Sequence, residues 1–330
     1  MTYLFTEGNM KVIEMKNVDK YYGKNKVLDG VSFSVEKGHI VGLIGPNGAG
    51  KTTIMKIISG LSHRSAGELY LFEKNTEIHV NRNRISFMIE NPIIDSALNA
   101  RNNMEYMRLL RGVADEKRID ELLLYVGLDN AGKKQVKNFS LGMKQRLGIA
   151  MSLIADPEVL VLDEPVNGLD PEGIVEVRMI LKELCEKQGK TIVISSHLLS
   201  ELSELCTDYI IINHGKIVEA LSTEELMDHS RSYISVKTDN ISHTTAQLEK
   251  TLQINDYKVI DNSELRIFGM SGRIPELSRA ITDGGDTILH FAHTNESLEE
   301  YYLSKVDHND SEDTKRRNGV INRLSGRGDR

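Results

Sequence analysis

The run Gly45-Pro46-Asn47-Gly48-Ala49-Gly50-Lys51-Thr52 fits the pattern G-x-x-x-x-G-K-[ST]. Glycines in such a loop let successive backbone N–H groups curl around phosphate oxygens, the lysine reaches the outer phosphates, and the hydroxyl after it ligates Mg2+. The chemistry offered is binding of a nucleoside triphosphate, with Gly45, Asn47, Gly48, Gly50, Lys51, Thr52 and Thr53 as contacts. GTPases, kinases and many ATPases share this loop, so it fixes no reaction by itself.

Leu160-Val161-Leu162-Asp163-Glu164-Pro165 narrows the chemistry, because an apolar strand delivers two carboxylates to the sheet edge where open α/β folds bind ligands. Asp163 is the expected holder of Mg2+. Glu164, expected to point elsewhere because strand neighbours alternate, is the candidate to polarise an attacking water. Read blandly, Glu164 is a solvated strand-end residue. His197 follows the segment Thr191 to Ser196 and emerges at the same edge. A lone histidine is usually structural, but here it would touch the terminal phosphate and sense its loss. Ser140-Leu141-Gly142-Met143-Lys144-Gln145-Arg146 adds a second anion-seeking turn. Ser140 serves as an N-cap, Gly142 admits close backbone approach, and the helix that follows aims its positive end outward. With one phosphate cradle already complete, that second turn suggests that each nucleotide is held by two chains.

The elements that must carry these groups can be read from periodicity. Val12 to Val18 and Val31 to Val35 resemble strands of an antiparallel subsheet, punctuated by Lys24-Asn25 and Lys37-Gly38. Ile40 to Ile44 is a continuous apolar strand leading into the glycine loop. The following helix is expected to bury Ile54, Met55, Ile57, Ile58 and Leu61 and to stop near Gly60. From about Asn91 to Asp156 the pattern is helical, with Met104, Met107, Leu109, Leu110 and then Leu122, Leu123, Leu124 and Val126, an inserted helical subdomain. Val159 to Asp163 and Thr191 to Ser195 flank a helix around Val175 to Lys187, which predicts parallel pairing. Beyond about Ser222, strand-like runs Tyr233 to Lys237, Leu265 to Phe268 and Thr287 to Phe291 alternate with helical runs Ala246 to Leu252 and Ile274 to Thr282, a small α+β appendage without a chemical motif. After Val306 the composition is polar and mixed in charge, as in a disordered tail. The Arg327-Gly328-Asp329 triplet there reads as accidental.

The chain has 330 residues, room for one large domain and a smaller one, with a net charge of -7. No basic excess marks a nucleic-acid partner, and none is expected. The apolar runs Val159 to Leu162 and Ile192 to Ile194 are strand-sized, against about 20 residues for a membrane helix. Met1 to Met10 lacks the basic and apolar regions of a secretion signal, so a soluble cytoplasmic protein is expected. Cys185 and Cys206 have no metal spacing and read as small core residues of a reducing compartment.

The order of these motifs over about the first 220 residues resembles the nucleotide-binding subunit of ABC transporters. The resemblance implies a P-loop NTPase cassette of α/β class, with a mixed sheet core, an antiparallel β subsheet and a helical subdomain at about 91–156. The cassette would span 1–221, the appendage 222–306 and the tail 307–330. Within that family Tyr22 stands where an aromatic stacks on adenine, although it also reads as a strand-end packing residue. Gly168-Leu169-Asp170-Pro171 matches the loop that crosses the dimer interface. Ser140 and Gly142 match the signature peptide that binds the partner's ATP, and His197 matches the switch histidine. Two departures stand out: Leu141 and Met143 replace a common glycine and glutamine, and Glu90, after the strand Ile85 to Met88, replaces a glutamine that touches Mg2+ and the membrane subunit. The second departure resembles the exporters that confer bacitracin resistance or lantibiotic immunity. A slipped alignment or an ordinary solvated charge would also account for Glu90.

The resemblance implies ATP hydrolysis with Mg2+ held by Thr52, Asp163 and Glu90, catalysis by Glu164, His197 and Lys51, and a head-to-tail dimer with a second copy or a homologous subunit. It also implies a separate membrane permease, docked near Glu90 to Leu98, that keeps the subunit on the inner membrane face and exports a peptide antibiotic or similar amphiphile. The alternative is an ABC-type ATPase with an assembly or regulatory role.

Overall fold

A computed structural model of the chain describes residues 10–76, 78–90, 92–196, 202–229, 232–261, 263–295, 298–303 and 305. It divides into two compact units, with the boundary between Thr223 and Glu224.

The first unit opens with β1 (Lys11–Tyr22) and β2 (Asn25–Glu36), paired antiparallel around the turn at Gly23 and Lys24, and continues into β3 (Ile40–Ile44). Then come α1 (Lys51–Ser59), β4 (Ala66–Leu71), α2 (Ile78–Arg82) and β5 (Ile85–Met88). Three helices follow, α3 (Ala100–Leu110), α4 (Lys117–Tyr125) and α5 (Leu141–Leu153). The unit closes with β6 (Val159–Asp163), α6 (Pro171–Glu186), β7 (Thr191–Ser196), β8 (Asp208–Asn213) and β9 (Lys216–Ser222). Six strands form one sheet in the order β5-β6-β7-β3-β8-β9, parallel except for β9, and β2-β1-β4 form a smaller antiparallel sheet.

Helix α1 lies within the core that joins the sheets. Ile54, Met55, Ile57 and Ile58 are all at most 1 % exposed and belong to a cluster with Val12, Met15, Phe33, Val161, Val193 and Ile210. Four such side chains contribute about 6–12 kcal/mol of gross burial, which anchors the loop before the helix. The helix ends at Gly60, whose left-handed φ of 83° lets its N–H donate to the Ile57 carbonyl. Leu61, expected on the buried side, is 71 % exposed because it lies past that turn. Leu109, Leu110 and Leu124, part of the helical pattern, are also exposed.

The strands β4, β8 and β9 went unread in the sequence. Alternation on β4 is masked by Gly67 and Glu68, and β9 is an edge strand of half-buried residues. Helix α6 begins at Pro171, four residues earlier than its apolar periodicity indicates, because Asp170 caps it and proline fits the first helical turn.

The second unit contains the antiparallel sheet β11-β12-β10-β13, built from β10 (Ser232–Thr238), β11 (Tyr257–Val259), β12 (Glu264–Phe268) and β13 (Ile288–Asn295). Two helices, Ile241–Leu252 and Ile274–Asp283, contribute Leu248, Leu277 and Ile281 to a core with Ile234, Val236, Leu265 and Ile267. Buried Asp286 accepts hydrogen bonds from Thr244 Oγ1 at 2.7 Å and His243 Nδ1 at 2.8 Å, tying the start of the first helix to the approach to β13. The expected tail at 307–330 lies outside the described residues.

Candidate functional site

The glycine loop connects the end of β3 to the start of α1, and its three key glycines are required for different reasons. A Cβ on Gly45 would lie 2.3 Å from the Ile212 carbonyl oxygen on β8. Gly48 has φ +82° and open space around its Cβ position, and Gly50, at φ +115°, caps α1 and would press a Cβ to 2.6 Å from Leu28. The base of the loop is therefore fixed by packing and its rim by backbone conformation, leaving Pro46, Asn47 and Gly48 exposed. Thr53, on the first turn of α1, is half-buried. Lys51 is 5 % exposed and donates from Nζ to the carbonyls of Gly45 at 2.6 Å and Pro46 at 3.3 Å. Burial pushes its amine below the ordinary lysine value, and Glu164 and Asp163 act against that shift.

Parallel pairing sets Asp163 beside Ser195, and the neighbouring α1 brings Thr52 to the same place. Asp163 accepts hydrogen bonds from Thr52 Oγ1 at 3.0 Å and from Ser195 Oγ. Ser195 also accepts the Glu164 N–H, through its carbonyl at 3.1 Å and its hydroxyl at 3.0 Å. Strand alternation is not what turns Glu164 away from Asp163: β6 ends at Asp163, and Glu164 takes a left-handed φ of +48°. That conformation costs a non-glycine residue about 1–2 kcal/mol. It places Glu164 Oε1 4.0 Å from Lys51 Nζ, while Oε2 accepts from Asn167 Nδ2 at 3.0 Å. The hydroxyl of Thr52 and the carboxylate of Asp163 are hard oxygen donors that fit Mg2+, which takes one or two protein oxygens and fills the rest with phosphate and water. Among the described residues no group of three His, Cys, Asp or Glu side chains could hold a metal, so a dedicated all-protein cage is not offered.

Ser140 caps α5, accepting the Met143 N–H at 3.2 Å, so the helix presents its free N–H groups beside an exposed serine. Gly142 has no neighbour nearer to its Cβ position than the Gly173 Cα at 3.8 Å. The loop before α6 is adjacent: a Cβ on Gly168 would meet Leu141 at 3.2 Å, and Asp170 caps α6 by accepting the Gly173 N–H at 3.1 Å. Ser140, Gly142 and Asp170 thus share one surface.

Tyr22, 49 % exposed at the end of β1, shares a hydrogen bond with Ser62 Oγ at 3.3 Å, and Lys20 Nζ stands 4.6 Å over its ring. Glu90 has φ +64° and pairs with Lys56 Nζ at 2.7 Å. His197 lies outside the described residues. Ser195, Lys56 and Asn167 were missed in the sequence. Ser195 had a signal in the register of two apolar strands; Lys56 and Asn167 had none, being ordinary polar residues at unremarkable positions.

A groove of about 310 Å³ opens beside this site, lined by Leu61, Met88, Pro92, Ile93, Met107 and Met151 among others. Ile93 is 89 % exposed on its rim. A Cβ on Gly148 would lie 2.6 Å from Pro92 and 2.9 Å from the Met88 sulfur, so this glycine on α5 is what lets the segment after β5 press against the helix.

A glycine cradle at the end of a parallel strand, an adjoining Asp-Glu pair and a second capped helix define a P-loop ATPase cassette. The profile described as "ABC transporter" matches residues 28–167. The bacitracin transport ATP-binding protein BcrA of Bacillus licheniformis is 35% identical over 89% of this chain and 97% of its own length. The lantibiotic transport ATP-binding protein SrtF of Streptococcus pyogenes is 46% identical over 63% of this chain and 89% of its own length. A dimeric ATP-binding cassette solved in a post-hydrolysis state with ADP and Pi superposes with a TM-score of 0.58 at 25% identity, over 64% of this chain and 98% of that one. The chain belongs to the ATP-binding subunits of ABC transporters. It is an ATP-binding ATPase, and subunits of this family dimerise and work with membrane permeases. Among the described residues no helix is long and apolar enough to cross a membrane.

Proposed function

We propose that this chain energises a permease that exports a peptide antibiotic or a similar amphiphile, hydrolysing ATP with Mg2+ in a head-to-tail dimer. The observation that carries the transport reading is the exposed apolar groove flanked by Ile93 and bordering the segment after β5, next to Glu90. An exposed isoleucine and a methionine-rich floor suit an amphipathic helix inserted from a membrane subunit, since methionine repacks around varied partners. The antibiotic class is supported by the names of the bacitracin and lantibiotic relatives. Such a subunit would lie on the cytoplasmic face of the membrane through its permease.

Within the site, Lys51 turns from the loop carbonyls to the outer phosphates, and Tyr22 offers a ring face to adenine. Thr52 and Asp163 would hold Mg2+, which would supply charge neutralisation for phosphoryl transfer. Glu164 accepts the proton of an attacking water, with Asn167 fixing one carboxylate oxygen and leaving the other toward the phosphate side. Ser140 and Gly142 of one chain meet the terminal phosphate held by the other, and Asp170 lies at the same junction. His197 would sense that phosphate. ATP then favours the closed dimer; swinging the equilibrium from mostly open to mostly closed takes about 5.5 kcal/mol of differential binding.

Ser140→Arg tests the two-chain site. The expected result is unchanged ATP binding by the monomer and loss of ATP-dependent dimers in light scattering; unaltered dimerisation sinks the arrangement. Co-expression with a candidate permease that co-purifies with this chain tests the transport reading: resistance to bacitracin or a lantibiotic should rise and should vanish with Lys51→Ala. Failure of the chain to co-purify with any permease from membranes would favour the non-transport ATPase.

A further inference from the structure

Register pairs Met88 with Leu162, so Glu90 follows β5 at the same sheet edge to which β6 delivers Asp163. The structure ties its carboxylate to α1: Glu90 Oε1 is 2.7 Å from Lys56 Nζ, and Glu90 itself takes a left-handed φ of +64°. Lys56 lies four residues after Thr52 on α1, so the two share one helix face. Thr52 on that face bonds Asp163, and Lys56 on the same face holds Glu90 one turn further along. The charges support the geometry. The hydrogen bond to Glu90 raises the Lys56 amine above its ordinary value, with smaller contributions from Tyr22 and Asp163, and the same bond lowers the Glu90 carboxyl.

We propose that Lys56 is a positioning residue for Glu90, keeping its carboxylate off the Thr52 and Asp163 edge and releasing it to that edge when a divalent cation competes for it. The inference rests on Thr52 and Asp163 forming the metal edge. The exchange has to be cheap, and it is: the Glu90 side chain is 64% exposed and that of Lys56 33%, the class of ion pair that shifts an equilibrium by only a few-fold.

The test measures Mn2+ affinity in the presence of ADP by EPR of the free ion, which requires no turnover. Lys56→Gln should tighten Mn2+ binding about 2- to 5-fold in the chain with Glu90 and by less than about 1.5-fold in a Glu90→Gln background, while Lys56→Arg should retain the parent affinity. Equal tightening in both backgrounds overturns the proposal, because Lys56 would then act on the ion as a distant charge and not through Glu90. No tightening in either background overturns it as well. Asp163→Asn separates the metal edge from the Lys56 role: it should weaken Mn2+ binding to the ADP-loaded chain, with the phosphates supplying what affinity remains. If the affinity is unchanged, the metal edge itself is wrong and the proposal falls with it; if it weakens while Lys56→Gln has no effect, only the Lys56 role falls.

Discussion

Replacing Glu164 with glutamine separates proton acceptance from shape. The backbone at φ +48° is as strained with glutamine as with glutamate, and a glutamine Oε1 can still accept from Asn167 Nδ2. Lys51 loses the carboxylate 4.0 Å away but keeps Asp163 as an offset to its burial. Folding stability should therefore change by no more than about 0.5 kcal/mol, as for substitutions that leave packing intact. Hydrolysis should fall far more. A positioned general base is worth about 10²- to 10⁴-fold, or about 2.7–5.5 kcal/mol on the barrier. The assay pairs steady-state phosphate release with thermal unfolding of the nucleotide-free chain and light scattering with ATP. The expected pattern is a melting temperature close to the parent's, at least a hundredfold loss of turnover and a persistent ATP-bound dimer. Turnover within tenfold of the parent refutes Glu164 as the base. A loss of turnover accompanied by marked destabilisation would instead show that Glu164 acts by supporting Lys51.

The loop glycines should divide by mechanism: Gly45→Ala clashes with the Ile212 carbonyl and should destabilise the fold by about 2–3 kcal/mol in urea denaturation, whereas Gly48→Ala, strained but unobstructed, should cost about 1 kcal/mol and mainly weaken nucleotide binding. Asp156 is held below the ordinary carboxyl value chiefly by its hydrogen bond from buried Lys190, so its contribution is complete above the unfolded value of 3.8 and is lost as pH falls through the lower folded value. Asp156→Asn, which tolerates the φ of +47° at this site, should cost about 0.2–1 kcal/mol near neutral pH, the range of a solvent-screened pair, because the Asp156 side chain is 73% exposed, and should leave no deficit in strong acid; a deficit independent of pH would exclude the ion pair as its source. Ile93→Ser removes an 89 % exposed apolar group and should leave ATP affinity unchanged while reducing recovery of the subunit with permease-containing membranes; equal recovery would remove the groove from consideration as the docking site.

The phosphate loop and the Asp-Glu strand were legible because their information is local: a run of glycines with required conformations and an apolar strand ending in carboxylates. The strands β1 and β3, the α1 core face and the cap at Ser140 followed from the same short-range patterns. What escaped depends on pairs far apart in sequence. Ser195 reaches Asp163 only through sheet register, and Lys56 meets Glu90 across 34 positions. The direction of Glu164 was misattributed because alternation presumes a continuing strand, while β6 ends at Asp163 and Glu164 takes a left-handed φ. Leu61, Leu109, Leu110 and Leu124 illustrate another limit: an apolar residue at helical spacing marks a face without saying what covers it.

Both cysteines in the sequence are buried, Cys185 with its Sγ 3.1 Å from the Gly38 carbonyl and Cys206 with 6 % exposure, and burial pushes both thiols above their ordinary values. Thiolate is the reactive form, so the native chain is close to silent toward maleimides, nitroxide reagents and peroxide. One engineered surface cysteine would consequently carry a label without a background to subtract. The proposed opening and closing of a dimer can be tested by spin or fluorophore distances in the otherwise unaltered protein.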